Sequence, residues 1–223
     1  MNKYDAIVIG AGHNGLTNAA YLAKAGLKVA VLERNPYIGG ATVSRELHKG
    51  WTYSNCSYVC SLLRPEIARD LELPRHGLQV VPYGGGVTFK RDGGYYGNYY
   101  DHNRQYREMS RHSKRDANAY ERYTADVMKQ TRLIRPFLLK RPPDPTSLKL
   151  RDLRDLAEFA SPFLAMGEEG LADTLKFWTK SVGDYLEEYF ESDVIKAHMA
   201  GSGIIGTALG VYSPGTAYVL LHH

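Results

Sequence analysis

Cysteine is nearly missing from this chain: there are two, Cys56 and Cys60, among 223 residues. Two thiols cannot build a disulfide framework, and such usage suits a reducing compartment. Their C-x-x-x-C spacing differs from the C-x-x-C of redox pairs, so they read as ordinary buried thiols. A strong charge of one sign is also lacking. Lys and Arg number 28 against 24 Asp and Glu, a net +4 that is too small to imply a nucleic-acid partner. The eight histidines form no H-x-x-x-H or Cys/His cluster, which argues against a metal site. No nucleophile elbow or Ser-His-Asp order appears, so no side chain is nominated as catalytic. Internal repeats and low-complexity tracts are absent as well. An apolar run begins almost at once, leaving no room for a signal or transit peptide, and cytoplasmic residence is the default expectation.

What the chain does have is a glycine loop, Gly10-Ala11-Gly12-His13-Asn14-Gly15, of the form G-x-G-x-x-G. Such a motif alone marks only a glycine-rich turn, and its flanks carry the inference. Tyr4 to Ile9 reads as a buried strand, Leu16 to Ala25 as a helix closed by Gly26, and Lys28 to Leu32 as a second strand ended by Glu33. This layout binds the ADP half of a dinucleotide. Gly10 permits the tight turn, Gly12 lets backbone approach a pyrophosphate, and Gly15 lets the helix lie close on the strand. The helix N-terminus offers N–H groups to phosphate, His13 and Asn14 among them, with His13 acting through its backbone. Glu33 follows Gly15 by 18 residues, near the spacing of about 20 expected of the acid that accepts from ribose hydroxyls. Ala19, Leu22, Gly26 and Val29 fall at packing positions.

A second glycine pair, Gly39-Gly40, follows in Glu33-Arg34-Asn35-Pro36-Tyr37-Ile38-Gly39-Gly40-Ala41-Thr42-Val43-Ser44. Here the chain resembles FAD-dependent oxidoreductases of the two-dinucleotide type, in particular their phytoene-desaturase-like branch. The resemblance implies that backbone at the pair passes close to the flavin side of FAD, and so implies FAD rather than NAD. The cofactor-binding set it implies is Gly10, Gly12, His13, Asn14, Gly15, Glu33, Arg34, Gly39, Gly40, Ala41 and Thr42. Tyr37 and Ala41 stand where that family usually has arginine, while Ser44 is kept. Arg34 could meet an NADP 2′-phosphate, but the neighbouring Glu33 would repel it, so Arg34 is expected over the adenine or in solvent. The glutathione-reductase group uses C-x-x-x-x-C, which this chain lacks, and dithiol chemistry is not expected.

Three further stretches resemble the same branch: Ser57-Tyr58-Val59 with Ser61 to Ile67, Tyr185 to Ser192, and Ser213 to Tyr218. Members of that family are about twice as long or more, and their FAD domain is discontinuous. The resemblance therefore implies an N-terminal part ending, at Leu221-His222-His223, inside a substrate domain. The alternative is a short protein that closes its sheet in another way. The expected fold is α/β, with a Rossmann-type FAD-binding start (an incomplete parallel sheet) over residues 1–80 and a mainly helical α+β substrate region over 81–223.

Beyond the loop, Pro65 opens a short helix to Leu71. Leu78 to Tyr83 and Val87 to Arg91 read as strands, the second forming a hairpin across Gly93-Gly94 with Tyr95 to Tyr100. Helix is expected from about Asp101. Ser113-Lys114-Arg115-Asp116 has capping-box form before a stripe from Ala117 to Ile134 that Pro136 ends. Further helices cover Leu148 to Phe159, Leu171 to Trp178, and a segment capped by Ser181 that runs to about Phe190.

Three features invite sharper readings. Arg104, Arg107, Arg111, Lys114 and Arg115 form a basic stretch, read as a solvated helix face because acids surround it. Tyr95, Tyr96, Tyr99 and Tyr100 could line an apolar substrate channel or be half-buried strand residues. Met199 to Leu221 holds no charged residue. Its many glycines favour a buried wall over a membrane span. No transmembrane segment is expected, and peripheral membrane contact stays open. The function that follows is hydride transfer from an apolar small molecule to FAD. The alternative is a non-catalytic dinucleotide-binding fragment, or a subunit that needs a second chain or a C-terminal half.

Overall fold

The computed structural model describes residues 3–222, with His222 described in its backbone only; His223 lies outside the described residues. The chain divides into two units, Met1–Tyr83 and Gly84–His223.

In the first unit, β1 (Ala6–Ile9) and β2 (Val29–Leu32) pair in parallel, from Ala6 opposite Val29 to Ile9 opposite Leu32. Helix α1 (His13–Lys24) crosses between them and packs on both. It starts three residues before the expected Leu16, because Gly12 already serves as its N-cap. This is the Rossmann-like start read from the sequence. Alternation along β1 explains its one-sided burial: Val8 is 9% exposed, while Ile7 and Ile9, on the other face, are 62% and 86% exposed. The expectation of a buried strand therefore fails for one face. Parallel strands are apolar on both faces because both are ordinarily covered, and here one cover is missing.

A hairpin that the sequence reading did not anticipate follows: β3 (Ser44–His48) with β4 (Trp51–Ser54), antiparallel, with an irregularity between Glu46 and His48. Gly50 turns the chain at φ +82, and its N–H donates to Glu46 Oε1 at 2.6 Å. Helix α2 (Pro65–Asp70) comes next, with proline in its first turn as expected. Its Asp70 accepts from the Tyr21 hydroxyl of α1 at 3.0 Å, tying the two helices. Two expectations fail here. Leu78 to Tyr83 forms no strand, since no neighbouring chain pairs with it, and Val80 and Val81 stay exposed. Cys56 and Cys60 are exposed rather than buried, because they lie in irregular chain after β4 with no layer packed over them.

The second unit opens with the expected hairpin, β5 (Gly85–Phe89) against β6 (Tyr95–Tyr99). Helices follow: α3 (His102–Ser110), α4 (Lys114–Ile134), α5 (Leu150–Leu164), α6 (Gly167–Thr179), α7 (Val182–Glu187), α8 (Asp193–Gly201) and α9 (Thr216–Val219). The starts of α3, α4 and α7 follow cap chemistry. Asp101 Oδ1 accepts from the Arg104 N–H, Ser113 Oγ from that of Asp116, and Ser181 Oγ from that of Asp184. Arg135 to Phe137, containing Pro136, tightens into a one-turn 3-10 helix where α4 ends.

Tyr123 centres the core, with the rings of Phe190, Tyr189 and Tyr185 at 5.1, 5.5 and 6.1 Å. The capping box at Ser113 is only half closed. Asp116 does not reach back to Ser113; its two carboxylate oxygens accept the N–H groups of Glu191 and Ser192, each at 2.9 Å. A fully buried carboxylate thereby secures the start of α8. Met199 to Leu221 is a wall on one side only. Ala200, Ala217 and Leu220 are buried, while Leu209 and Tyr212 face outward. Among the described residues no helix is long and apolar enough to cross a membrane.

Beside the hairpin, His198 Nδ1 meets Thr88 Oγ1 at 2.7 Å and its ring lies edge-on to Tyr96 at 5.0 Å. Burial holds its imidazole below the usual 6.5. The unfolded chain then binds the extra proton, so this contribution to stability is complete above pH about 6.5 and is lost as pH falls below it. The urea midpoint of the second unit should therefore drop between pH 8 and pH 5.5, and His198→Gln should shrink that drop; an unchanged pH profile would refute the assignment. Removing the buried carboxylate with Asp116→Ala strands two N–H groups and should cost about 3 kcal/mol in the same assay.

Candidate dinucleotide-binding site

The site is built almost entirely of backbone. Gly10 leaves β1 at φ +98, and its N–H still donates to Leu32 O at 2.7 Å, so the loop begins inside the sheet. Gly15 sits in the first turn of α1 against that strand. A β-carbon on Gly15 would lie 2.1 Å from Gly10 O, so only glycine lets the helix come this close.

The second glycine pair docks on this loop. The Gly39 N–H donates to Ala11 O at 2.8 Å, and Gly39 bridges Gly12 in a parallel sense. Gly40 takes φ +58, and a β-carbon there would lie 3.0 Å from the Gly12 Cα. Gly40, Ala41 and Thr42 form a one-turn 3-10 helix, in which the Thr42 hydroxyl donates back to Gly39 O at 2.7 Å. Two glycine motifs separated along the chain thus form one backbone surface.

Glu33 is the side chain that organises it. Its Oε2 accepts from the Ala11 N–H at 2.7 Å, and its Oε1 accepts from the Asn35 N–H and side-chain amide at 2.8 and 2.9 Å. The Asn35 N–H, and then that of Ala11, hold its carboxyl below the usual carboxylate range, so it is ionised near neutrality. A carboxylate offers about four acceptor positions. Oε1 takes two of these bonds and Oε2 one.

The N-terminal end of α1 is open. Gly12 provides no side-chain cap, and no acid stands in the first turn. The end therefore presents N–H groups and partial positive charge with no side-chain cap and no first-turn acid against them. His13 and Asn14 occupy this turn with exposed side chains, and Arg34 is exposed beside Glu33. The structure thus brings Gly10, Gly12, Gly15, Glu33, Gly39 and Gly40 together, with Ala41 and Thr42 in the adjoining turn.

One residue escaped the sequence reading. Arg45 on β3 places its guanidinium 4.3 Å from the ring centroid of Tyr37, the residue standing where the resembled family has arginine. No local pattern announces this pairing, because it depends on the β3–β4 hairpin. In the second unit the basic stretch is largely spoken for. Arg104 lies over Tyr99 at 3.7 Å, Arg111 pairs with Glu108, and Arg115 pairs with Glu191. Tyr96 is buried and accepts from the Gln105 amide at 2.7 Å, whereas Tyr100 is exposed. Among the described residues no group of three His, Cys, Asp or Glu could hold a metal ion.

Residues 8–69 match the family model of the NAD(P)-binding Rossmann-like domain. The chain is 37% identical over 238 residues to the mouse pyridine nucleotide-disulfide oxidoreductase domain-containing protein 2, a match covering 99% of this chain and 40% of that protein. A 38-residue stretch, 17% of this chain and 7% of the relative, is 58% identical to phytoene desaturase of Fusarium fujikuroi. A solved putrescine oxidase variant shares the fold with a TM-score of 0.53 at 17% identity, covering 98% of this chain and 41% of that one. Residues 8–69 thus form a Rossmann-like domain, and the chain is similar in sequence to the mouse relative, of whose length it spans about 40%.

The contact between Gly15 and Gly10 predicts that Gly15→Ala pushes α1 off β1 at a cost of about 3 kcal/mol. Hydrogen exchange at Ile7 to Ile9 and at Val29 to Leu32 should accelerate in that variant. Native protection there would show that the close approach is not required.

Proposed function

We propose that the first unit cradles the ADP half of FAD and that the chain works in a phytoene-desaturase-like, FAD-dependent oxidoreductase. The observation that carries this reading is the docking of Gly39-Gly40 on the Gly10–Gly15 loop, which extends the dinucleotide surface beyond one turn. The residues present fit the group. The uncapped start of α1 suits a pyrophosphate. A β-carbon on Gly12 would meet nothing closer than the Gly40 Cα at 3.9 Å, so the space over it is open to a ligand. Glu33 accepts from a ribose hydroxyl and, being ionised, repels the 2′-phosphate of NADP. His13 and Asn14 contribute backbone N–H groups, Ala41 and Thr42 continue the surface past the pair, and Arg34 lies over the adenine or in solvent.

When bound, FAD supplies the redox chemistry, accepting a hydride from a substrate C–H bond. The chain's own residues bind and orient: α1 and Gly12 hold the phosphates, Glu33 the ribose, and the glycine pair leaves room for close backbone approach. The helical region, residues 81–223, contributes to holding a small, apolar substrate, in a cytoplasmic protein. No nucleic-acid partner is invoked, and contact with a membrane surface is compatible with this role.

A second reading has its own support. The exposed Ile7 and Ile9 face leaves the two-stranded sheet uncovered on one side. A chain with this sheet alone would bind the nucleotide without chemistry and need a second chain, or a C-terminal half, to complete a flavin site.

The purified chain should be yellow and release FAD, identified by mass. Gly12→Ala should keep native stability but lose FAD affinity by about tenfold or more. A colourless protein that binds ADP-containing nucleotides would favour the second reading, and no nucleotide binding at all would refute both.

A further inference from the structure

Helix α5 (Leu150–Leu164) is apolar on two opposite faces, and only one of them is covered. The inner face is held by aromatic contacts. The Phe159 ring lies 4.9 Å from that of Phe137, and the Phe163 ring 5.6 Å from that of Trp178. On the other side Leu150, Leu153, Ala157 and Leu164 fall at i, i+3, i+7 and i+14, which makes one stripe at helical spacing. All four are exposed, Leu150 at 85%, Leu153 at 43% and Leu164 at 76%. Leu148, just ahead of the helix, is 88% exposed. A helix packed on a protein surface ordinarily turns charged and polar residues outward, so a second apolar stripe marks a contact surface.

Charge decides what covers it. The acids of α5 are spent on the chain itself: Asp152 and Asp155 pair with Arg141, and Glu158 pairs with Lys140. The cations beside the stripe differ. Lys149, Arg151 and Arg154 are exposed, and among the described residues none of them is in an ion pair. Arg154 adds only a minor attraction to Glu158, which Lys140 already holds. The open side of α5 therefore offers leucines flanked by positive charge. A second copy of this chain, meeting the stripe face to face, would bring like charges together. An anionic lipid surface answers both features. Its acyl chains take the leucines, and its headgroup phosphates take the cations, whose stems lie along the interface.

We propose that the open face of α5 docks the second unit on an anionic phospholipid surface, with Leu150, Leu153 and Leu164 inserted at the headgroup boundary. The contact is peripheral, since among the described residues no helix is long and apolar enough to cross a membrane. The proposal does not depend on the dinucleotide reading of the first unit.

The test is flotation of the full chain with vesicles of phosphatidylcholine alone and of phosphatidylcholine mixed with phosphatidylserine. The chain should float with the mixed vesicles, and added salt should weaken that binding. Arg151→Gln with Arg154→Gln should weaken it by about twenty-fivefold, about fivefold for each charge. Leu150→Ser with Leu153→Ser should weaken it by about tenfold or more. Both pairs change exposed side chains, so the thermal midpoint without lipid should be unchanged. No flotation with the mixed vesicles would overturn the proposal, as would equal flotation with the neutral ones or flotation that neither pair of variants alters. So would a dimer seen by sedimentation that Leu150→Ser dissolves, because a second copy would then occupy the face.

Discussion

Where Gly40 passes Gly12, a β-carbon on Gly40 would lie 3.0 Å from the Gly12 Cα, and one on Gly15 would lie 2.1 Å from Gly10 O. Main chain lies against main chain at both points, with no side chain between. The tight exit from β1, the placement of α1 and the docking of Gly39-Gly40 all depend on that closeness. Glu33 then draws the Ala11 N–H inward, so the acid at the end of β2 and the loop at the end of β1 hold one another in place. The same closeness exposes the start of α1, which makes the surface suitable for phosphate.

The second unit is held together differently. Its core is aromatic, arranged around Tyr123, and its joints are polar. Asp116 spends both carboxylate oxygens on the chain entering α8, and Glu191 receives both Ser113 and Arg115. These bonds join the start of α4 to the segment between α7 and α8, which lies more than 70 residues away in sequence. They also explain why the basic stretch is not a free cationic surface: several of its members are fastened to rings or acids of the same unit.

Legibility followed the range of the interaction. The strand, loop, helix and acid from Tyr4 to Glu33 are local features, and each left a local mark. Caps at Asp101, Ser113 and Ser181 and the stop at Pro136 were equally readable, because each acts within one helical turn. The β3–β4 hairpin was missed because its strands are short and exposed along their whole length, with only Lys49-Gly50 to mark the turn. Leu78 to Tyr83 looked like a strand, yet a strand exists only where another chain segment pairs with it. Cys56 and Cys60 looked like core residues by type, but burial requires a covering layer, and none packs over that stretch.

The amino-acid sequence by itself determined that the chain begins with a Rossmann-type dinucleotide loop, because glycine spacing and a terminal acid are set by backbone sterics and hydrogen-bond reach. Tertiary structure alone decided that the two glycine motifs form one surface and that Glu33 grips the loop. It also decided that Arg45 covers Tyr37 and that Asp116 anchors α8 rather than closing its capping box. Each of these joins residues whose separation along the chain carries no periodic or propensity signal, so only the folded backbone brings them within hydrogen-bond or van der Waals range.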